Sequence, residues 1–239
     1  MITDFEKLYP GDATFNESSR ILKAKKIIAV ISDYKRKVSN LALLDYGCSV
    51  GLMTRYFGYK FNRIVGVDVD GQAIRIARKR NRKSNVRFVL TKNERLPFKA
   101  NSFDVVVFNQ VYEHVSNPNL AIKEIERVLR PGGVCYFGAR NRFFPMDGHY
   151  PIPFLAFIPK KVSNFLVRHL LRKREYDINL FSLPELRQLV KNFKVKDYTL
   201  QVFADPGKFF MPNWIRFLMP LARVLYFLIP NYVWLLIKK

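Results

Sequence analysis

Acidic side chains are scarce in this chain. Only 19 Asp and Glu stand against 41 Lys and Arg in 239 residues, a formal net charge of +22. A field of that sign favours polyanionic partners: nucleic acid, an anionic membrane surface or phosphorylated substrates. A thermophile-type surface would raise Glu along with Lys, and Glu is not raised. Cysteine is rarer still. Cys48 and Cys135 both fall in runs that read as interior, which leaves no disulfide framework and fits a reducing cytoplasmic compartment. Three widely spaced histidines and no cysteine pair at ligand spacing leave no metal constellation. The opening MITDFEKLYPGDATFNESS has no apolar run of the kind a secretory signal needs. Apolar residues themselves are not lacking. At 49% of the chain they supply a core, and the length suits one α/β domain with decorations or two small domains.

Residues 17–36 read as an amphipathic helix, with Ile21, Leu22, Ile27, Ile28 and Ile31 set among lysines. A regular alternation follows. Strand-like runs occupy 41–46, 63–68, 86–90, 103–109 and 133–140, and helix-like runs occupy 51–58, 71–83 and 118–130. The strands are rich in Val, Ile and Leu with little polar alternation, as strands buried on both faces are. Strand–helix alternation at this spacing predicts an α/β fold with a doubly wound, mostly parallel sheet and ligands at the carboxyl ends of the strands. Later, 182–193 reads as a helix in which Ser182 and Glu185 form a capping box, and 194–203 reads as a sixth strand.

The stretch LLDYGCSVG, from Leu43 to Gly51, is the first place with chemistry. Glycines at a strand-to-helix turn let a ligand approach the backbone, and the following helix offers free N–H groups. The loop Gly47, Cys48, Ser49, Gly51 does not have the G-x-G-x-x-G spacing of a dinucleotide turn. An acid still arrives on schedule, because Asp68 ends the second strand, where a carboxylate can take both hydroxyls of a ribose. Further on come Glu94-Arg-Leu-Pro-Phe98, Ser102-Phe-Asp104-Val-Val-Val107, Glu113-His114 and Val128-Leu-Arg-Pro-Gly-Gly133. As an ordered set over roughly 40–140, these landmarks resemble the class I S-adenosylmethionine-dependent methyltransferases of the type 11 branch. The resemblance implies a Rossmann-like core, S-adenosyl-L-methionine as cofactor and methyl transfer as the activity. It places Asp45, Gly47, Cys48, Ser49 and Gly51 around the methionine part of the cofactor and Asp68 on the ribose. It places Val69 against the adenine, Asn93 along the adenine edge and Asn109 near the sulfonium.

The chain departs from that pattern twice. Ser49 replaces the middle glycine of the loop, where a serine works if its φ is ordinary and its hydroxyl can help hold the carboxylate. Lys92 stands where the family often has an acid that receives the adenine amino group, and lysine cannot accept a hydrogen bond. Either Asn93 carries adenine recognition or cofactor affinity is lower. Methyl transfer needs orientation more than a catalytic dyad. A base would serve a phenol or hydroxyl acceptor, and the candidates are His114 and His149, with Glu113 and Asp147 beside them.

Two segments lie outside the core pattern. Residues 141–181 are rich in proline, aromatic and basic side chains and read as a substrate lid inserted after the fifth strand. After a return to the core over 182–205, residues 206–239 turn strongly apolar. Arg216 and Arg223 interrupt that tail, which is too broken for a comfortable span. It reads as an apolar helix lying in a membrane interface, with Trp214, Tyr226, Tyr232 and Trp234 at headgroup level. The layout is therefore a core with its N-terminal helix over 1–140, a lid over 141–181, and the two later segments. The expected partners are an anionic membrane surface and a small or lipid-linked acceptor, such as a quinone precursor, a polyprenol-linked sugar or a phospholipid headgroup. The expected location is the inner face of the cytoplasmic membrane. An RNA methyltransferase and a non-catalytic partner subunit of the same fold stand as alternatives. Basic residues interleaved with long aliphatic runs favour lipid over nucleic acid, and no RNA-binding module is recognisable.

Overall fold

The computed structural model describes residues 16–146, 150, 152–171, 176 and 178–239. Helix α1 runs Glu17–Lys35, and Asn16 caps it by accepting from the Ser19 N–H at 3.0 Å. Then come β1 (Ala42–Tyr46), α2 (Leu52–Phe57), β2 (Arg63–Asp68), α3 (Gly71–Arg80), β3 (Val86–Leu90), β4 (Phe103–Asn109), α4 (Pro118–Val128) and β5 (Leu129–Arg140). The inserted segment holds a short 3-10 turn, Leu155–Phe157, and α5 (Lys160–Leu171). The chain returns through α6 (Leu183–Leu189), β6 (Lys194–Asp197) and α7 (Thr199–Ala204), and after α8 (Met219–Val224) it ends in β7 (Asn231–Ile237).

One sheet of order β3-β2-β1-β4-β5-β7-β6 organises the molecule. The first five strands are parallel, and β7 runs antiparallel between β5 and β6. Alternate residues of each strand feed opposite faces. Leu43, Ile64, Val105, Val107 and Val134 meet Ala24, Ile27 and Ile31 of α1 together with Met53, Phe57 and Ile74. Leu44, Val65, Val106, Phe108 and Phe137 meet Ile122 and Ile125 of α4 and Leu186 of α6. Strand order reverses between β1 and β4, so a crevice opens at the carboxyl ends of those two strands.

Three expectations from sequence are corrected. The sixth strand is only four residues long. The Thr199 N–H donates to the Asp197 carboxylate at 2.7 Å, and this turn starts α7 where an extended run through 203 was expected. The tail is not an apolar helix, because its last apolar run is the seventh strand. A short apolar run cannot be assigned to helix or strand by periodicity alone, and Pro230 bars a helix from entering it. Tyr232 and Trp234 therefore lie buried in the core, 0% and 2% exposed, instead of at a membrane interface. Among the described residues, no helix is long and apolar enough to cross a membrane.

Candidate active site

A cavity of about 530 Å³ occupies the crevice between β1 and β4. Its β1–β2 side is built by the loop after β1. Gly47 sits at φ +78, and a Cβ there would come within 2.5 Å of the Val111 side chain, which packs directly against it at the cavity wall. Gly51, at φ +76, caps α2, and a Cβ on it would strike the Phe88 ring at 2.5 Å. Both glycines thus allow a close approach: Gly47 lets Val111 pack on the loop at the cavity wall, and Gly51 lets the loop pack on β3.

Ser49 lies between them at φ +49, so the condition of an ordinary φ is not met and the serine is held in the left-handed region. A side chain in this left-handed region is strained. The Ser49 N–H donates to Asp68 Oδ2 at 2.7 Å, which ties the strained turn to the end of β2. Asp68 accepts a second bond from the Asp70 N–H at 3.0 Å, which orients its carboxylate at the cavity wall. Next to it, Val69 is an apolar side chain 63% exposed, and it too lines the cavity.

The other sequence-derived candidates divide into two groups. Ser49, Asp68, Val69, Asn93 and Asn109 line the cavity, together with Gly47, Lys92 and His114. Asp45, Cys48 and Gly51 do not line it. Asp45 lies behind the loop, 1% exposed, and accepts from the Thr54 hydroxyl at 2.6 Å. Burial pushes its carboxyl up to about 6 against the pull of that hydrogen bond. Asn93 uses its side-chain oxygen within its own turn, accepting from the Arg95 N–H at 3.0 Å. His149 and Asp147 lie outside the described residues.

Glu113 and His114 part company after β4. His114 is exposed and faces the cavity. Glu113 is fully buried, with Oε1 3.6 Å from Arg140 Nε and no hydrogen bond to either carboxyl oxygen. Burial drives its carboxyl up to about 7, with Arg140 opposing. The cap of α4 is Asn117, which accepts from the Leu120 N–H at 3.0 Å.

Sequence reasoning missed the far wall. Arg20 and Lys23 of α1, Gln110 after β4 and Arg140 at the end of β5 all line the same cavity. Lys23 donates to Gln110 Oε1 at 3.2 Å. Burial, with Arg20 and Arg140 close by, lowers the Lys23 ammonium to about 8. The available signal was helical phase. Arg20 and Lys23 are three residues apart, and their face of α1 borders the one that buries Ala24, Ile27 and Ile31.

The comparisons with known proteins agree with this geometry. Residues 44–137 match a family model described as a methyltransferase domain. Curated relatives are 28 to 33% identical over part of the chain, which spans 34 to 65% of their length. Among them is the ubiquinone biosynthesis O-methyltransferase of Saccharophagus degradans, 28% identical over 67% of this chain and 65% of its own. Among solved structures, a chain of the complex between the Haloferax volcanii Trm112 methyltransferase activator and a methyltransferase aligns with a TM-score of 0.63. It shares 17% identity and covers 99% of this chain and 98% of its own. A phosphoethanolamine N-methyltransferase of Haemonchus contortus, solved with S-adenosylhomocysteine, aligns with a TM-score of 0.56 and 17% identity over 89% of this chain and 51% of its own. At such identities the two structures speak for the fold.

Proposed function

From the match of residues 44–137 to a methyltransferase domain, we propose that the chain transfers a methyl group from S-adenosylmethionine to a small or lipid-linked acceptor at an anionic membrane surface. The observation that carries the reading is the meeting of Gly47, Ser49, Asp68 and Val69 on one cavity at the strand-order switch. Those residues fit the cofactor. A carboxylate oriented by two backbone N–H groups suits a ribose diol, an exposed valine suits an adenine face, and bare backbone at Gly47 suits the methionine chain. When bound, the cofactor supplies a methyl group on a sulfonium for in-line displacement. The chain's own residues hold the reactants in line and keep water out. Asp45 supports the loop from behind. Asn109, which lines the cavity at the end of β4, would stand beside the sulfonium. His114 accepts the proton if the acceptor atom is a hydroxyl oxygen. Lys92 lines the cavity where an acid would receive the adenine amino group, so adenine recognition falls to Asn93 and the loop backbone.

Membrane contact rests on a surface outside the sheet. Trp214 is 61% exposed and Phe217 is 84% exposed, and Leu221, Val224 and Phe227 are exposed beside the equally exposed Arg216 and Arg223. Large apolar side chains interspersed with arginines, on a chain of net charge +22, suit the interface of an anionic leaflet. The inserted segment is tied to this surface. Asn141 donates to the Phe227 and Ile229 carbonyls at 2.7 and 3.0 Å, and Phe143 packs edge-on to Phe157 at 5.7 Å.

The test is calorimetric titration with S-adenosylmethionine. Micromolar binding by the wild type that Asp68→Ala abolishes is expected. No binding by folded wild type would end the enzymatic reading.

A further inference from the structure

We infer that the acceptor carries an oxyanion, a carboxylate or phosphate group, and that Lys23 and Arg140 bind it. The inference rests on the proposed methyl transfer, and it concerns the opposite wall of the same cavity. The features suited to the cofactor gather at the ends of β1 and β2. Lys23 and Arg140 stand across from them, one hydrogen-bonded to the residue after β4, the other closing β5.

Placing cations together in a partly desolvated wall is costly unless an anion compensates them. Lys23 and Arg140 meet on this wall, and the Lys23 ammonium is lowered by its burial first, with Arg20 and Arg140 adding to the effect. Among the described residues, the acids lining the cavity, Asp68 and Glu94, are committed elsewhere. Asp68 serves the Ser49 and Asp70 N–H groups, and Glu94 accepts from the Asn117 N–H at 3.0 Å. Glu113, which does not line the cavity, has Oε1 3.6 Å from Arg140 Nε, and burial favours its neutral form.

Arg20 has a different place. Its charge acts on Asp45, behind the cofactor loop, so it belongs to the methionine side of the cavity. Lys23, nearly one turn further along α1, reaches the side of β4. The two walls thereby divide an elongated zwitterionic cofactor from an anionic acceptor.

Calorimetry on protein saturated with S-adenosylhomocysteine tests this, with phenyl phosphate and benzoate as soluble probes and phenol as the uncharged control. Dihexanoyl phosphatidate, below its micellar concentration, separates a lipid headgroup from a free phosphate. Saturable binding of the anions but not of phenol is expected. Lys23→Gln and Arg140→Gln should each weaken it about tenfold, the scale of one lost charge-assisted hydrogen bond, while S-adenosylhomocysteine affinity stays within about threefold. Lys23→Gln changes a partly exposed helix residue, so the test does not depend on Arg140→Gln folding. Tenfold loss of S-adenosylhomocysteine binding with unchanged anion binding would assign these cations to the cofactor's carboxylate and overturn the inference. Anion affinities that neither substitution moves would overturn it as well. If wild type fails to bind S-adenosylhomocysteine, the methyl-transfer reading fails by itself, and anion binding is still read without it.

Discussion

Replacing Glu113 with Gln should change how stability depends on pH. The wild-type carboxyl is fully buried, its oxygens make no hydrogen bond, and burial raises it from 4.5 to about 7. A carboxyl raised on folding holds its proton more tightly in the native state than in the unfolded chain. Its effect is therefore absent well below 4.5. Stability then falls as pH rises toward about 7 and levels off above. At ~1.36 kcal/mol per pH unit the full fall is about 3 kcal/mol, most of which lies between about pH 5 and about pH 8. Asp45 adds a fall of the same sign between 3.8 and about 6, but the wild type and the variant share it, so it cancels between them. Urea unfolding of both proteins at the two pH values reads the difference directly. The Glu113→Gln variant should lose about 2 to 3 kcal/mol less than wild type on going from the lower pH to the higher. Parallel losses would refute the account, because they would mean that Glu113 ionises as easily in the fold as outside it.

Two further outcomes follow from the loop and the exposed aromatics. Ser49→Gly should leave stability unchanged or raise it by up to ~1 kcal/mol, since relief of a left-handed serine offsets the greater freedom of glycine in the unfolded chain. A loss of more than ~1 kcal/mol in urea midpoints would show that the serine is not strained there. Trp214→Ala with Phe217→Ala should reduce binding to phosphatidylglycerol vesicles by more than about tenfold in sedimentation, because each inserted aromatic is worth about 1.5–3 kcal/mol. Thermal stability should stay constant because both side chains are exposed, and undiminished vesicle binding would move the membrane contact elsewhere.

Much of the sheet was legible from sequence because its central strands are buried on both faces. Strands β2, β3 and β4 span 63–68, 86–90 and 103–109, the bounds that their Val-, Ile- and Phe-rich runs mark. Strand β5 begins earlier than expected, at Leu129, because Leu129 already pairs with Phe103 and the Arg-Pro-Gly-Gly stretch forms a bulge before Val134 pairs with Val105. The edge beyond β5 was hidden. Strand β7 pairs with residues almost a hundred positions earlier, a partnership that no local pattern encodes. The cavity was half legible. Loop glycines and an acid at a strand end mark themselves by chain position. The cationic wall depends on how α1 is rotated against the sheet, and that rotation is fixed by packing of Ala24, Ile27 and Ile31. The burial of Glu113 likewise comes from segments that meet it only in the fold, such as Asn179, whose N–H donates to the Glu113 carbonyl at 3.0 Å.

The antiparallel β7 also sets an order of events. Strand β6 has one neighbour in the sheet, and that neighbour is β7. As the chain emerges from the ribosome, β6 is made first and finds no edge to join. It waits through α7, α8 and the apolar segment around Trp214 before its partner arrives. The parallel half, with the proposed cofactor wall, needs none of this, since β1 to β4 pair among themselves. Assembly of that half thus precedes assembly of the edge. The backbone amides of β6 are shielded from exchange with solvent only while β7 stays docked, so protection along this edge is ranked by topology, with the outermost strand inheriting its lifetime from the one beside it.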